Sequence, residues 1–596
     1  MQKYHLSLQY FRERLAHYDA LPQLVILGML SGVITGLLMV LFRMAVELPL
    51  TYWLGQADNF EGLSSAQHFL WPVIGSGFLI LIFYLWPQAA KQVGMVNLFE
   101  RLSYYQGHIP GRSIVMQFLS ATIALVSGHS VGREGPSIFL GAACSSLIGQ
   151  RLRLPNNSLR LLIGCGAAAA ISAGFNTPLA GVIFAMEVIL LEYTVIGFTP
   201  VIVAAVSADI VMRSILGHEN VFDVPSFEIN TLAEVPWVML LGVVVGLCAA
   251  AFNHIMLSAY KLAHWPVAVR FMLAGILTGL AAMLYPEVMG IGYDTISETL
   301  WGRLDIQLLC GLLLVKLLLT PFILGLGIPA GLIGPTLFIG ALIGGICGII
   351  GDWSTDMDVS HVGLYAMLGM GAMMGAVLNA PLAALVALLE LTGNPNIIFP
   401  GMIAIVISNL TVRYLFNLPS IFLSSLQAQG LDYRQEPIAQ ALSRAAAASL
   451  MERNFVATNH LINASSAQEM LAEAPRWILI QEVGKPATSI MLPNDLQDHL
   501  TRQALLAQEK EAQEDDSLAR QQETPLEPQQ PINLLEIPAE RFNIVTLSFR
   551  ATLYEALQKM NEQNIANLCI TSNQGEIMGI LTRAQIEYYY THKQTL

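Results

Sequence analysis

Long stretches of the chain carry no Asp, Glu, Lys or Arg at all, among them Pro22 to Phe42, Gly62 to Ala90, Pro136 to Gln150, Leu161 to Met186 and Val235 to Tyr260. Several exceed the roughly 20 apolar residues that a helix needs to cross a bilayer. Others are shorter or broken by Gly and Pro, so the pattern predicts helices that end inside the membrane. Backbone left unpaired at that depth is tolerated only where it lines a cavity, and broken helices therefore mark a pathway for substrate. Near Gln427 to Pro437 the pattern changes to mixed charges, amphipathic helices and short β-type runs such as "RWILIQEV" and "IANLCITS". This predicts a membrane domain over 1–430 and a soluble cytoplasmic α/β domain over 435–596. Within the latter, the acidic, Gln-rich stretch 507–531 is expected to be a disordered insert.

Composition agrees with the pattern, since 12% charged and 54% hydrophobic residues are not combined in ordinary soluble domains. The polar start of the chain with Lys3, Arg12 and Arg14 argues against a cleavable signal and for a cytoplasmic N-terminus. The formal net charge of -13 comes largely from the C-terminal third and says little about what the membrane part binds. Six scattered cysteines lack metal-ligand spacing and read as free thiols.

The membrane part resembles itself. "GPSIFLGA" from Gly135 returns as "GPTLFIGA" from Gly334, and "NTPLAGVIFAME" from Asn176 returns as "NAPLAALVALLE" from Asn379. The similar offsets predict an internal duplication, with repeats over approximately 22–216 and 232–426. Gly-Pro at the start of each repeated segment suits a helix that begins there. Such N-termini present free N–H groups and the equivalent of about half a positive charge. Two of them facing one spot would attract an anion. Glu134 lies at the positive end of one such helix, where a carboxylate can act as a tethered stand-in for the anion and leave when protonated or outcompeted. That makes it a candidate gate.

At these residues the chain resembles the chloride-channel (CLC) family, in "GREGP" from Gly132 and "GLIGP" from Gly331, in the duplicated Asn-x-Pro-Leu-Ala elements and in the Ser-Ile-Phe near the end of the membrane part. The resemblance implies an all-α polytopic membrane fold with an inverted internal repeat, a homodimer with one anion pathway per subunit, and residence in the cell (inner) membrane. Glu134 would match the gating glutamate, and the N–H groups of Leu332 and Ile333 those that hold the central anion. Arg133 and Gly135 flank the gate in the anion-binding stretch, Arg133 being read mainly as a structural cation that pairs with carbonyls or a carboxylate. Departures from the pattern bear on mechanism. Met95 in "GMVNL" stands where the family has a serine that contacts the anion, and Phe422 stands for a tyrosine. Val188 replaces a second, proton-carrying glutamate, which leaves Glu187 or Glu192 as possible relays. The expectation is channel-like chloride conduction. The alternatives are a proton-coupled chloride or fluoride antiporter, since the family contains a fluoride-exporting branch that also lacks the serine, and more remotely a CBS-regulated cation transporter.

An intramembrane enzyme would need a nucleophile and base or paired metal ligands, and the sequence shows neither, so no enzymatic activity, metal, cofactor or nucleic-acid partner is expected. His129 reads as a packing residue, and Lys316, alone in an apolar helix, as a partner of Glu390. The soluble part resembles a pair of CBS modules, the first degenerate. Thr582 keeps its place in "GILTRAQ", but Gln585 replaces the aspartate that would hold a ribose, so binding of an adenine nucleotide is doubtful.

Overall fold

The computed structural model describes residues 21–55, 59–86, 92–217, 222, 234–354, 362–431, 437–481, 487–514, 531–572 and 574–593. The chain divides into two compact units, one of 21–154 with 158–434 and one that includes 435–596 and the short stretch 155–157.

Among its described residues the larger unit is built from helices and the loops between them. Its first half contains α1 (Leu21–Leu54), α2 (Ser65–Leu85), α3 (Met95–Tyr104), α4 (Gly111–Val126), α5 (Glu134–Arg151), α6 (Asn156–Phe175), α7 (Pro178–Phe184) with a π-helical extension to Leu190, and α8 (Val195–Leu216). The second half repeats the series as α9 (Val235–Tyr260), α10 (Val267–Leu284), α11 (Tyr293–Leu300), α12 (Ile306–Gly325), α13 (Ile333–Ser354), α14 (Val362–Leu378), α15 (Pro381–Thr392), α16 (Ile398–Leu410) with a π-helical extension to Leu415, and α17 (Ile421–Ala428). Among the described residues nine helices are long and apolar enough to cross a membrane, and α4, α14 and α15 are apolar but shorter. This is a multi-pass membrane protein with the uneven helix lengths that the hydropathy pattern predicts.

Small residues let the helices approach. Gly28, Gly32 and Gly36 place one face of α1 against the backbone of Pro200, Ala204 and Ala208 on α8. Gly340 and Gly344 of α13 meet the backbone of Gly369 and Tyr365 on α14 in the same way. In lipid, where apolar side chains have no water to escape, such close backbone packing is a main source of helix association.

The duplicated Asn-x-Pro-Leu-Ala elements are tied to each other. Asn176 and Asn379 both take a left-handed backbone, with φ of 59° and 54°, a region that asparagine tolerates better than most residues. A proline then opens α7 and α15. The glutamate that ends each repeat caps the other helix: Glu187 accepts from the N–H groups of Leu382 at 3.2 Å and Ala383 at 2.6 Å, and Glu390 from those of Leu179 at 3.0 Å and Ala180 at 2.7 Å. This exchange is what a pseudo-two-fold axis between the halves produces. The expected pairing of Lys316 with Glu390 is therefore not found. Glu390 is turned to the start of α7, while the Lys316 ammonium donates to Val288 O at 3.2 Å and lies 3.8 Å above the Phe338 ring. Glu390→Gln keeps the shape of the side chain but removes its charge from a helix N-terminus. It is expected to cost about 1–2 kcal/mol of stability, read as a lower thermal midpoint in detergent.

The smaller unit holds two α/β halves. A four-stranded sheet runs in the order β1 (Phe455–Asn459), β3 (Trp477–Gln481), β4 (Ala487–Met491), β6 (Arg541–Asn543), beside a short ribbon of β2 (Leu461–Ile462) and β5 (Ile532–Asn533). The other half has β7 (Thr546–Ser548), β8 (Asn567–Thr571) and β9 (Ile577–Thr582) in that order, β7 parallel and β9 antiparallel to β8. Leu479 and Ile490 of the first sheet share a core with Cys569 and Ile580 of the second. Burial there pushes the Cys569 thiol up to about 11, and all six cysteines are free. The helix Pro493–Glu514 enters the stretch expected to be disordered, so residues 507–514 correct that boundary. Its Ala, Glu, Gln and Lys are strong helix formers. Residues 515–530 lie outside the described ones.

Candidate functional site

The loops that open α5 and α13 lie side by side. Gly132 N–H donates to Gly331 O and Gly331 N–H to Gly132 O, both at 2.7 Å. These two bonds form an isolated antiparallel bridge between the halves. Only glycine permits it: a Cβ on Gly135 would lie 2.8 Å from the Cα of Gly331, and one on Gly331 2.5 Å from the Gly135 nitrogen. The first N–H groups of a helix have no partner within it, so two sets of such donors are brought to one place.

Glu134 stands in the first turn of α5 and is 4% exposed. Its carboxylate does not stay on its own helix. Oε2 accepts the N–H of Gly334 in the first turn of α13 at 3.0 Å, and Oε1 accepts the hydroxyl of Tyr293 at 2.6 Å. The pocket around it is walled by backbone: a Cβ on Gly132 would collide with Oε2, and one on Gly334 would come within 3.1 Å of it. A carboxylate of one half thus occupies the helix N-terminus of the other. Whatever displaces it must be small and must offer lone pairs to N–H donors, which describes an anion and not a cation.

The remaining predicted residues are distributed around this point. Gly135 forms the contact with Gly331. Leu332 and Ile333 open α13, where Thr336 N–H already turns back to Leu332 O at 3.0 Å. The Arg133 guanidinium reaches Glu47 at 3.3 Å and Gly174 O at 3.4 Å, and stands 5.4 Å from the Tyr293 ring centre. Met95 is the buried first residue of α3, and Phe422 of α17 stacks on Phe99 of α3 at 5.5 Å. Neither supplies a hydroxyl. Val188 is buried in the π-helical extension of α7. Glu192 follows the left-handed residue Leu191 that ends the extension, its own N–H returning to Met186 O at 3.1 Å. His129 is satisfied between two serines, Ser127 at 2.9 Å and Ser76 at 3.0 Å, as a packing residue would be.

Two residues escape a reading of the sequence. Gln117 accepts the Gly94 N–H at 2.7 Å and donates to Pro329 O at 3.1 Å, tying the start of α3 to the loop before α13. Tyr293 touches the Glu134 carboxylate from a helix more than a hundred residues away in the chain. Nothing in "GIGYD" around Tyr293 or in "VMQFL" around Gln117 announces these contacts, because both depend on how distant loops converge. In the smaller unit Thr582 and Gln585 serve each other. The Gln585 side chain accepts from the Thr582 N–H at 2.8 Å and its hydroxyl at 3.1 Å, and the Gln585 N–H donates to that hydroxyl at 3.3 Å. This is a capping box at the start of the last helix, and it takes up the threonine that a ribose would use.

Comparison with known proteins bears on both units. The model of the voltage gated chloride channel family matches residues 73–413, and that of the CBS domain matches residues 536–590. A ClcB-like chloride channel protein of Ralstonia nicotianae is 29% identical over 420 residues, covering 67% of this chain and 95% of the relative. The H(+)/Cl(-) exchange transporter ClcA of Vibrio cholerae is 30% identical over 396 residues, covering 63% of this chain and 83% of the relative. The solved structure of a slow cyanobacterial Cl-/H+ antiporter has the same fold, with a TM-score of 0.60 at 22% identity over 68% of this chain and 98% of that one.

Proposed function

Because the chain belongs to the voltage gated chloride channel family, we propose that it carries small anions, chloride first among them, through a pathway that crosses the junction of α5 and α13 and is gated by Glu134. The observation that carries this reading is the Glu134 carboxylate seated on the Gly334 N–H, 3.0 Å away. A movable anion of the protein and a diffusing one compete for the same donors. The carboxylate wins when the site is otherwise empty, because it is tethered and loses little entropy on binding. Protonation removes its charge, and the N–H groups then serve the diffusing anion. The N–H groups of Ile333 and Leu332 lie beside Gly334 for that purpose, with Met95 and Phe422 as apolar walls where hydroxyl donors would otherwise sharpen selection. Selection by backbone donors alone is expected to be broad and to admit fluoride as well as chloride. The working assembly is a homodimer in the inner membrane, with one pathway per subunit and both termini cytoplasmic.

Two residues in the inner half of the proposed pathway favour channel-like conduction. Val188 cannot carry a proton, and the Glu187 carboxylate is committed to the start of α15. The relatives that bear exchanger names favour the second reading, proton-coupled antiport. The two separate in proteoliposomes loaded with chloride and held across a pH gradient, with chloride and proton movement recorded together. Chloride efflux without a fixed proton share is expected. A constant ratio of protons taken up to chloride released would establish the exchanger, and efflux no faster than from protein-free vesicles would remove anion transport altogether.

A further inference from the structure

We propose that Tyr293 is a latch on the Glu134 gate: its phenol donates to the carboxylate while the carboxylate occupies the Gly334 N–H, and lets go when the carboxyl is protonated or an anion takes its place. The proposal rests on the reading of Glu134 as the gate.

The contact is built rather than incidental. At 2.6 Å the Tyr293 hydroxyl lies within the short range of charge-assisted O–H···O⁻ bonds. The ring is held on two sides, with the Arg133 guanidinium 5.4 Å from its centre and the edge-on ring of Phe222 at 5.5 Å. The chain enters α11 through Gly292 with φ of 77°, where a Cβ would run into the Phe338 ring of α13, so only glycine brings Tyr293 this close to the second helix N-terminus. Gate and latch come from different halves of the duplication. The position that matches Glu134 in "GLIGP" is Ile333, so the arrangement exists once per subunit and not twice.

A neutral phenol gives its proton best to an ionised acceptor, so the latch favours the shut, charged gate over the open, protonated one. Other ionisable groups surround the pair. Arg133 is held by Glu47 at 3.3 Å, Asp294 accepts the Thr295 N–H at 2.7 Å, and Lys316 lies over Phe338 behind Gly292. Further out, Glu61 is raised above the usual carboxylate range by burial and by Asp294, Glu287 and Glu298. All of these persist when only the hydroxyl of Tyr293 is removed, so they cancel in the comparison.

The test is anion efflux from proteoliposomes across a pH series for four proteins: the native chain, Tyr293→Phe, Glu134→Ala and the double variant. Phenylalanine keeps the ring contacts. Tyr293→Phe is expected to release efflux at neutral pH and to move the acid-activation midpoint up by about one pH unit, the size of one hydrogen bond to a charged group. In the Glu134→Ala background it is expected to change nothing. An unmoved midpoint, or the same fractional change in both backgrounds, overturns the latch and leaves the gate standing. A Glu134→Ala protein that keeps the native pH dependence overturns both. Should Tyr293→Phe fail to assemble, a ring-fluorinated tyrosine at 293 is a stronger donor of nearly the same size. It is expected to move the midpoint down, and a shift in the other direction or none overturns the latch.

Discussion

Glu134→Ala is expected to leave anion efflux fast at every pH between about 4.5 and 7.5, a range over which the proposed gate would let the native protein speed up only as the medium becomes acid. The argument is one of competition for donors. In the native chain the carboxylate takes the Gly334 N–H at 3.0 Å and the Tyr293 hydroxyl at 2.6 Å. Hydrogen bonds to a charged group contribute roughly 1.5–3 kcal/mol each, so losing even one is enough for a tenfold or larger change in occupancy. Alanine gives up both, and a diffusing anion meets an unoccupied N–H and no like charge. The native profile is expected to have the sign of an acid-opened gate: lowering the pH would protonate the carboxyl and free the helix N-terminus, so efflux should rise. Glu134→Gln is the sharper variant, since its amide keeps the shape and can still accept the Gly334 N–H. It is expected to lose the pH dependence as completely as alanine while retaining more of the block. A native-like acid activation in either variant would show that protons act elsewhere, and the competition argument would fall with it.

How much of this was legible in the sequence depends on which interactions are local. The uncharged runs, the two Gly-Pro helix starts and the Asn-x-Pro-Leu-Ala pairs were readable because each is a property of a few adjacent residues. The duplication turned two such signals into a prediction of spatial convergence, which the Gly132 and Gly331 bridge satisfies. The partner of the gate was a different matter. From sequence, Glu134 is expected to rest at the start of its own helix. It reaches across to α13, and glycine at 132 and 334 leaves its carboxylate room that a Cβ at either position would crowd. The same logic misassigned Glu390. A lone lysine in an apolar helix invites a carboxylate partner, but the N-terminus of α7 offers the glutamate two N–H donors at once, while the ammonium settles on a carbonyl and an aromatic face. Tyr293 and Gln117 had no sequence signal, for polar residues near a membrane pathway become informative only when the loops that carry them are placed.

The glycine bridge itself is the feature on which the site depends most, and Gly331→Ala is expected to damage it more than any other single methyl group. A Cβ at 331 would sit 2.5 Å from the Gly135 nitrogen, 3.0 Å from Gly132 O and 3.2 Å from the Gly135 Cα. All three obstacles are backbone, so no side-chain rotation relieves them and the two loops must part. Parting them lengthens both 2.7 Å bonds of the bridge and pulls the starts of α5 and α13 away from the point they share. Overpacking of this kind costs roughly 1–3 kcal/mol, enough to lower the thermal midpoint by several degrees, and the displaced N–H groups should reduce efflux at least tenfold. Gly77→Ala on α2 is the matched control, since a Cβ there meets nothing within 4 Å; it is expected to be neutral or slightly stabilising through helix propensity. The comparison isolates backbone contact from any general intolerance of alanine for glycine. If the two variants were equally active and equally stable, the helix starts would not need to touch, and a shared anion site between the halves would have no structural basis.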